Sequence, residues 1–309
     1  MIQLTRGGVK NMSFSSDIKQ ELNKANSLAN KENVKFELIG YFISANTSVV
    51  KGKKIKFSTE SDYNINRFSK LLSNLEINHD IDVNGKTFNI VTKSFDIDKL
   101  EYIEIKEDEV VLKDDIIELF NNKSEEKIKA LIRGTFLGAG SVNNPENSYH
   151  LEIVLSNEIN MKILQKILIG FGIKTKELIS KNRYSLYIKE GEEISKLLAL
   201  IGANKAVMQF EDIRIKKEMR GKVNRIVNCE TANLNKTINA SIEQISAIKK
   251  LQKEGRFSKL DDNLKEIAKL RVENPDMSLV ELGKKLKEPI GKSGVNYRLK
   301  KIMEIANGK

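Results

Sequence analysis

The sequence predicts an α+β fold built from a duplicated half-domain and followed by an all-α helix-turn-helix domain. Three observations carry this. A small-residue pattern at Gly40/Ser44 recurs at Gly134/Gly138. The segments after each occurrence share the same strand and helix periodicities. Near the C-terminus, a capping box opens two short helical patterns separated by Pro289 and Gly291.

The first residues, "MIQLTRGGVKN", fit no element. "MSFSSDIKQELNK" from Met12 reads as a natural start with an amphipathic helix behind it. Arg6-Gly7-Gly8 can be encoded by a purine-rich run placed where a bacterial ribosome-binding site would precede the Met12 codon. Residues 1–11 are therefore expected to be a non-native leader.

Set "LIGYFISANTSV" above "IRGTFLGAGSV" with Gly40 over Gly134. Phe42 then falls over Phe136, Ser44 over Gly138 and Ala45 over Ala139. Downstream, "KIKFSTESDYNINRFSKLLSNLEI" matches "HLEIVLSNEINMKILQKILIGFGI". Each is a short alternating strand, a Ser-x-Glu turn and a helix. The helix apolar positions are Phe68, Leu71, Leu72 and Leu75 in one copy and Ile163, Leu164, Ile167 and Leu168 in the other. "TFNIVTK" and "RYSLYIK" then read as strands. Residues 12–118 and 119–213 are the two repeats. Small residues four apart share one helix face, and a helical glycine costs roughly 1 kcal/mol relative to alanine. Two such faces packed together would offset that cost through close backbone approach.

Charge divides the chain differently. Residues 1–213 hold 30 Lys+Arg and 30 Asp+Glu, and residues 214–309 hold 23 and 12, so the whole excess of +11 lies in the last third. That is the footprint of a polyanion binder. No apolar run approaches the roughly 20 residues of a membrane span. Cys229 is the lone cysteine, which excludes an internal disulfide and suits a reducing cytoplasm. His79 and His150 have no ligand spacing around them, so neither a metal nor another cofactor is expected. With no His near Cys229, a catalytic thiol is not expected either.

The duplicated small-faced helices over paired sheets resemble the LAGLIDADG homing endonucleases. The resemblance implies that the last acidic residue of each motif, just before its final glycine, would hold the metal for DNA cleavage. The matching positions here are Ala45 and Ala139, neither of them acidic. Phosphodiester hydrolysis through two metals needs carboxylate oxygens, so the repeat is expected to be a non-catalytic platform. An active nuclease would need carboxylates from elsewhere, such as Glu37, Glu60 or Glu158.

"RIKKEMRGKVNR", residues 214–225, reads as a basic linker or linking helix, and helix is expected again from about Thr237. Residues 226–309 form the expected DNA-binding domain. Leu264, Ile267 and Ala268 supply a helix to its core. "MSLVELGKKLKE" carries the capping box Ser278-x-x-Glu281, an apolar face of Leu279, Leu282 and Leu286, and Gly283 for a close neighbour. In "KSGVNYRLKKIMEIA", Val295, Leu299, Ile302 and Ala306 cluster on one side at about 100° per residue. Ser293, Asn296, Tyr297 and Lys300 point the other way. Such a second helix enters the DNA major groove. Asn296 suits adenine and Lys300 guanine, Ser293 and Tyr297 suit bases or phosphates, and Lys292, Arg298 and Lys301 suit phosphates.

Taken in order, "MSFSSDIKQEL", "IRGTFLGAGSVNNPENSYHLEI", "NCETANLNKT" and "GKSGVNYRLKKI" are similar to the WhiA family of bacterial regulators, over essentially Met12 to Asn307. The resemblance implies a LAGLIDADG-like domain without nuclease activity, joined to a helix-turn-helix. It implies binding to double-stranded DNA in the cytoplasm and nucleoid, in the service of transcription control, cell division, chromosome segregation or sporulation. An alternative reading makes the front half a protein-interaction module for a sigma factor or RNA polymerase.

Overall fold

The computed structural model describes residues 13–24, 27–93, 97–121, 125–181 and 183–308. The expected leader, residues 1–11, lies outside them. The chain forms two compact units, Met1–Lys217 and Glu218–Lys309.

The first unit opens with α1 (Phe14–Asn23). Ser13 caps it by accepting the Ser16 N–H, and Phe14, Ile18 and Leu22 are buried at a spacing of four. Helix α2 (Lys31–Phe42) follows Asn30, whose side chain accepts the N–H groups of Glu32 and Asn33. Strands β1 (Thr47–Val50) and β2 (Lys54–Thr59) lead to α3 (Asp62–Asn74), capped by Ser61. Strands β3 (His79–Asn84) and β4 (Thr87–Thr92) complete an antiparallel sheet of order β1-β2-β4-β3. A hairpin of β5 (Ile103–Lys106) and β6 (Glu109–Leu112) and helix α4 (Ile116–Asn121) come next.

The second copy repeats the order. Helix α5 (Glu125–Ala139), β7 (Gly140–Val142), β8 (Leu151–Leu155), α6 (Glu158–Gly170), β9 (Lys176–Ser180) and β10 (Arg183–Ile188) give a sheet of order β7-β8-β10-β9. Each copy therefore adds an edge strand, β3 or β9, to the predicted pattern. These edges are polar or exposed along most of their length and give little periodic signal. Phe68, Leu71 and Leu72 of α3 and Ile163, Leu164, Ile167 and Leu168 of α6 are buried as the repeat predicts, and Leu75 caps α3 half-buried.

Helices α2 and α5 answer for the small residues. A Cβ on Gly40 would strike the Leu131 carbonyl oxygen and lie 2.6 Å from the Thr135 nitrogen. One on Gly134 would strike the Glu37 carbonyl oxygen, and one on Gly138 the Ser44 hydroxyl. Only glycine permits this backbone contact. Both helices are consequently buried nearly all round, from Val34 to Phe42 and from Ala130 to Gly138 apart from half-buried Lys35 and Arg133.

Helix α7 (Gly191–Leu200) precedes α8 (Asn204–Lys253), in which the boundary between the two units falls. Residues 214–225 lie inside α8, and helix starts at Asn204 rather than near Thr237. Gly221 and the asparagines at 224, 228, 233 and 235 are weak helix formers, so local pattern hides the helix. No proline interrupts the backbone ladder between 204 and 253.

In the second unit, the end of α8 packs with α9 (Asp262–Glu273), α10 (Leu279–Lys285) and α11 (Lys292–Ala306). Ile248, Leu251, Leu264, Ile267, Ala268, Leu282, Leu286, Val295, Leu299, Ile302 and Ala306 form its separate core.

Candidate nucleic-acid interface

The turn between α10 and α11 is specified residue by residue. The Ser278 hydroxyl oxygen accepts the Glu281 N–H at 3.3 Å, and the Glu281 carboxylate accepts the Ser278 N–H at 2.9 Å. These bonds satisfy two N–H groups at the helix start, and the bond from the Ser278 backbone holds the Glu281 carboxyl below its usual range. Helix α10 stops after Lys285 because Leu286 turns extended, with φ −66° and ψ 150°, and buries its side chain. A Cβ on Gly283 would strike the Ile290 carbonyl oxygen, whose own N–H donates to the Gly283 carbonyl at 3.2 Å. The glycine thus lets the chain entering α11 lie against α10.

Helix α11 presents two faces. Val295, Leu299, Ile302 and Ala306 are buried. Lys292, Ser293, Asn296, Tyr297, Lys300 and Lys301 are exposed, and Arg298 is half-buried at the flank. Tyr297 is 66% exposed, an aromatic ring that contributes nothing to the core. Among the described residues Lys300 makes a long exposed pair with Glu304, 3.9 Å, which leaves its ammonium available to another acceptor. Sequence periodicity does not reveal Arg271 of α9. It is buried and donates to the Met277 carbonyl at 2.7 Å and the Pro275 carbonyl at 3.3 Å, bracing the loop before α10.

The two alanines that the homing-endonuclease resemblance sets at metal positions lie in the first unit. Ala45 is exposed and Ala139 half-buried. Asn46, beside Ala45, donates to the carbonyl of Gly138, beside Ala139, at 2.7 Å, so both positions sit at one end of the helix pair. Glu37 is fully buried and bound by two arginines, Arg67 at 2.8 and 3.0 Å and Arg133 at 2.8 and 3.0 Å. Burial alone would raise its pKa. The two guanidiniums outweigh burial and hold it below the usual carboxylate range. Glu60 is exposed, and Glu158 pairs with Lys162 at 3.0 Å. Among the described residues, no group of three or more His, Cys, Asp or Glu is placed to hold a metal, and no helix is long and apolar enough to cross a membrane.

A duplicated α+β unit followed by a helix-turn-helix defines a class: a LAGLIDADG-like domain joined to a DNA-binding type of helical domain. Residues 128–220 match the profile of the WhiA LAGLIDADG-like domain, and residues 223–306 that of the WhiA C-terminal helix-turn-helix domain. The chain is 39% identical to the probable cell division protein WhiA of Clostridium tetani, over 96% of this chain and 97% of that one. It matches the crystal structure of full-length WhiA from Thermotoga maritima with a TM-score of 0.61 and 30% identity, covering 96% of this chain and 99% of that one. The isolated N-terminal LAGLIDADG domain of WhiA matches with a TM-score of 0.51 and 28% identity, over 65% of this chain and 96% of that domain. This chain belongs to the WhiA family.

Proposed function

We propose that this chain is a sequence-specific DNA-binding regulator, that its α11 reads the major groove, and that its front unit is a non-catalytic platform. The observation that carries the proposal is the division of α11. One face closes the core, while Lys292, Ser293, Asn296, Tyr297, Lys300 and Lys301 stand in solvent on a unit that holds most of the chain's excess positive charge. Asn296 and Lys300 supply base contacts. Lys292, Arg298 and Lys301 supply phosphate contacts that set the register of the helix, with Ser293 and Tyr297 between the two roles. In this reading residues 12–118 and 119–213 are the paired repeats of the platform, 214–225 a basic connection and 226–309 the reading domain. Alanine at positions 45 and 139 and the two arginines on Glu37 support a platform that does not cleave DNA. The name of the Clostridium tetani relative supports a role in cell division, and the proposed role extends to chromosome segregation or sporulation, in the cytoplasm and on the nucleoid.

Genome-wide DNA occupancy tests this reading. The intact chain should enrich a defined sequence, and a chain ending at residue 225 should lose that enrichment. Equal occupancy by both would place DNA recognition in the front unit and refute the assignment.

A further inference from the structure

A cavity of about 270 Å³ lies beside the first turns of α11, wholly within the second unit. Lys236 and Gln244 of α8, Arg271 of α9, Ser278 before α10, and Lys292 and Asn296 of α11 line it. Three lining residues are cations and none is acidic. Lys236 belongs to "NCETANLNKT", a stretch to which the DNA-reading proposal gives no work.

Arg271 is the decisive member. It is 1% exposed, and its hydrogen bonds run to two backbone carbonyls. Its Nε–H has no acceptor among the described residues, and burial pushes its pKa down with no carboxylate beside it to push it back. A buried guanidinium without a counter-charge is unfavourable. The loop contacts of Arg271 explain its position but not the missing negative charge. Ser278 accepts from Glu281, which leaves its hydroxyl proton to donate. Lys236 and Lys292 are exposed and come from different helices, so an anion between them would bring α8 and α11 into one binding surface.

We propose that this cavity is a phosphate-binding site in which Lys236, Lys292 and Ser278 hold the phosphate oxygens and the buried charge of Arg271 favours the anion from behind them. A phosphate has enough acceptor oxygens to engage donors from several elements at once, and charge-assisted bonds of this kind are the strong ones. The volume exceeds that of a phosphate alone and leaves space for the ester attached to it. That ester is either the sugar of a DNA backbone or a phosphorylated small molecule. The inference rests on the DNA-reading proposal only for the choice between these two sources.

The test compares the full chain with Lys236→Gln, an exposed change, and with the conservative Lys236→Arg. In the first arm, duplex DNA carries a neutral methylphosphonate at one backbone position at a time. The parent should lose about three- to tenfold in affinity at one or two positions. Lys236→Gln should be insensitive at those positions and show a salt slope smaller in magnitude by about 1. In the second arm, inorganic phosphate and ATP are titrated by calorimetry, with binding by the parent that Lys236→Gln weakens. Lys236→Arg should restore whichever arm responds. A positive first arm assigns the site to DNA, and a positive second arm alone assigns it to a free phosphate. Two null arms with Lys236→Gln as stable as the parent overturn the proposal, as does a loss that arginine fails to rescue. If the parent binds no DNA at all, the DNA-reading proposal fails by itself and the second arm decides this one.

Discussion

Replacing Gly134 with alanine tests the helix pair with a single methyl group. In an isolated helix the change is favourable, by about 1 kcal/mol. In this fold the new Cβ would strike the Glu37 carbonyl oxygen and lie 2.8 Å from its carbon. Ordinary C···O contacts lie near 3.3 Å or beyond, so α2 and α5 must separate by on the order of 1 Å. A gap of that size forfeits about a quarter to a half of the attraction across a packed contact, and overpacking strain adds roughly 1–3 kcal/mol. Net of the propensity gain, the strain leaves up to about 2 kcal/mol and the lost contacts add to it, so the front unit should lose about 2 kcal/mol, which for a domain of this size lowers Tm by about 4–8 °C. Tyrosine fluorescence isolates this unit, because Tyr41, Tyr63, Tyr102, Tyr149, Tyr184 and Tyr187 lie in it, only Tyr297 lies beyond it, and the chain has no tryptophan. Gly221→Ala in α8 is the control. The nearest atom to its Cβ would be Arg225 Nη1 at 3.9 Å, so it should be neutral or stabilising by up to about 1 kcal/mol. A Gly134→Ala front unit melting within about 1 °C of the parent would refute the close helix contact.

Two further perturbations probe the same unit. Glu37→Gln leaves two guanidiniums without their counter-charge and should cost about 3–5 kcal/mol, read by chemical denaturation. Because Glu37 has a depressed pKa in the fold, its contribution is fully present above the unfolded value and is lost as pH falls through the lower folded one. The parent should therefore lose more stability than the glutamine variant as pH drops below about 4, and parallel curves would show that Glu37 is not the group titrating. Purified protein with Mg²⁺ or Mn²⁺ should leave supercoiled plasmid intact, and nicking that a chelator abolishes would overturn the non-catalytic reading. Ala45→Asp with Ala139→Asp places two carboxylates at one end of the helix pair. It should cost about 1 kcal/mol in chelator through mutual repulsion, whereas an unchanged Tm would mean the two positions do not meet.

What could be read from the sequence divides along physical lines. The capping box at Ser278 and Glu281, the buried set from Val295 to Ala306 and the recurrence of Gly40 and Gly134 are local or periodic signals, and each appears in the fold as read. Glu37 shows the other kind. Its partners lie 30 and 96 residues away, a pairing that no window of sequence contains, so a buried ion cluster looked like a spare carboxylate. Asn64 and Asn160 are buried near the starts of α3 and α6, where they bond the carbonyls of Leu137 and Val110. Sequence pattern scores them as surface residues. The continuity of α8 escaped for a third reason, since its central residues are weak helix formers and Val223, Ile226 and Val227 face solvent. On α11 the periodic signal separates buried from exposed residues, but the presence of Lys236 and Arg271 beside it depends on how three other segments pack.

The central claim is that α11 reads DNA, and two substitutions measured together test it most directly. Asn296 is exposed on the outward face and carries no charge, whereas Arg298 is half-buried at the flank. Binding of the full chain to its enriched site and to a scrambled duplex, across several salt concentrations, should separate them. Asn296→Ala should weaken the enriched site by about 1–3 kcal/mol and leave scrambled DNA nearly unchanged. Arg298→Ala should weaken both and reduce the magnitude of the salt slope by about 1. Uniform losses from both variants with site preference intact would contradict base reading by Asn296, and full affinity in both would show that α11 does not enter the groove.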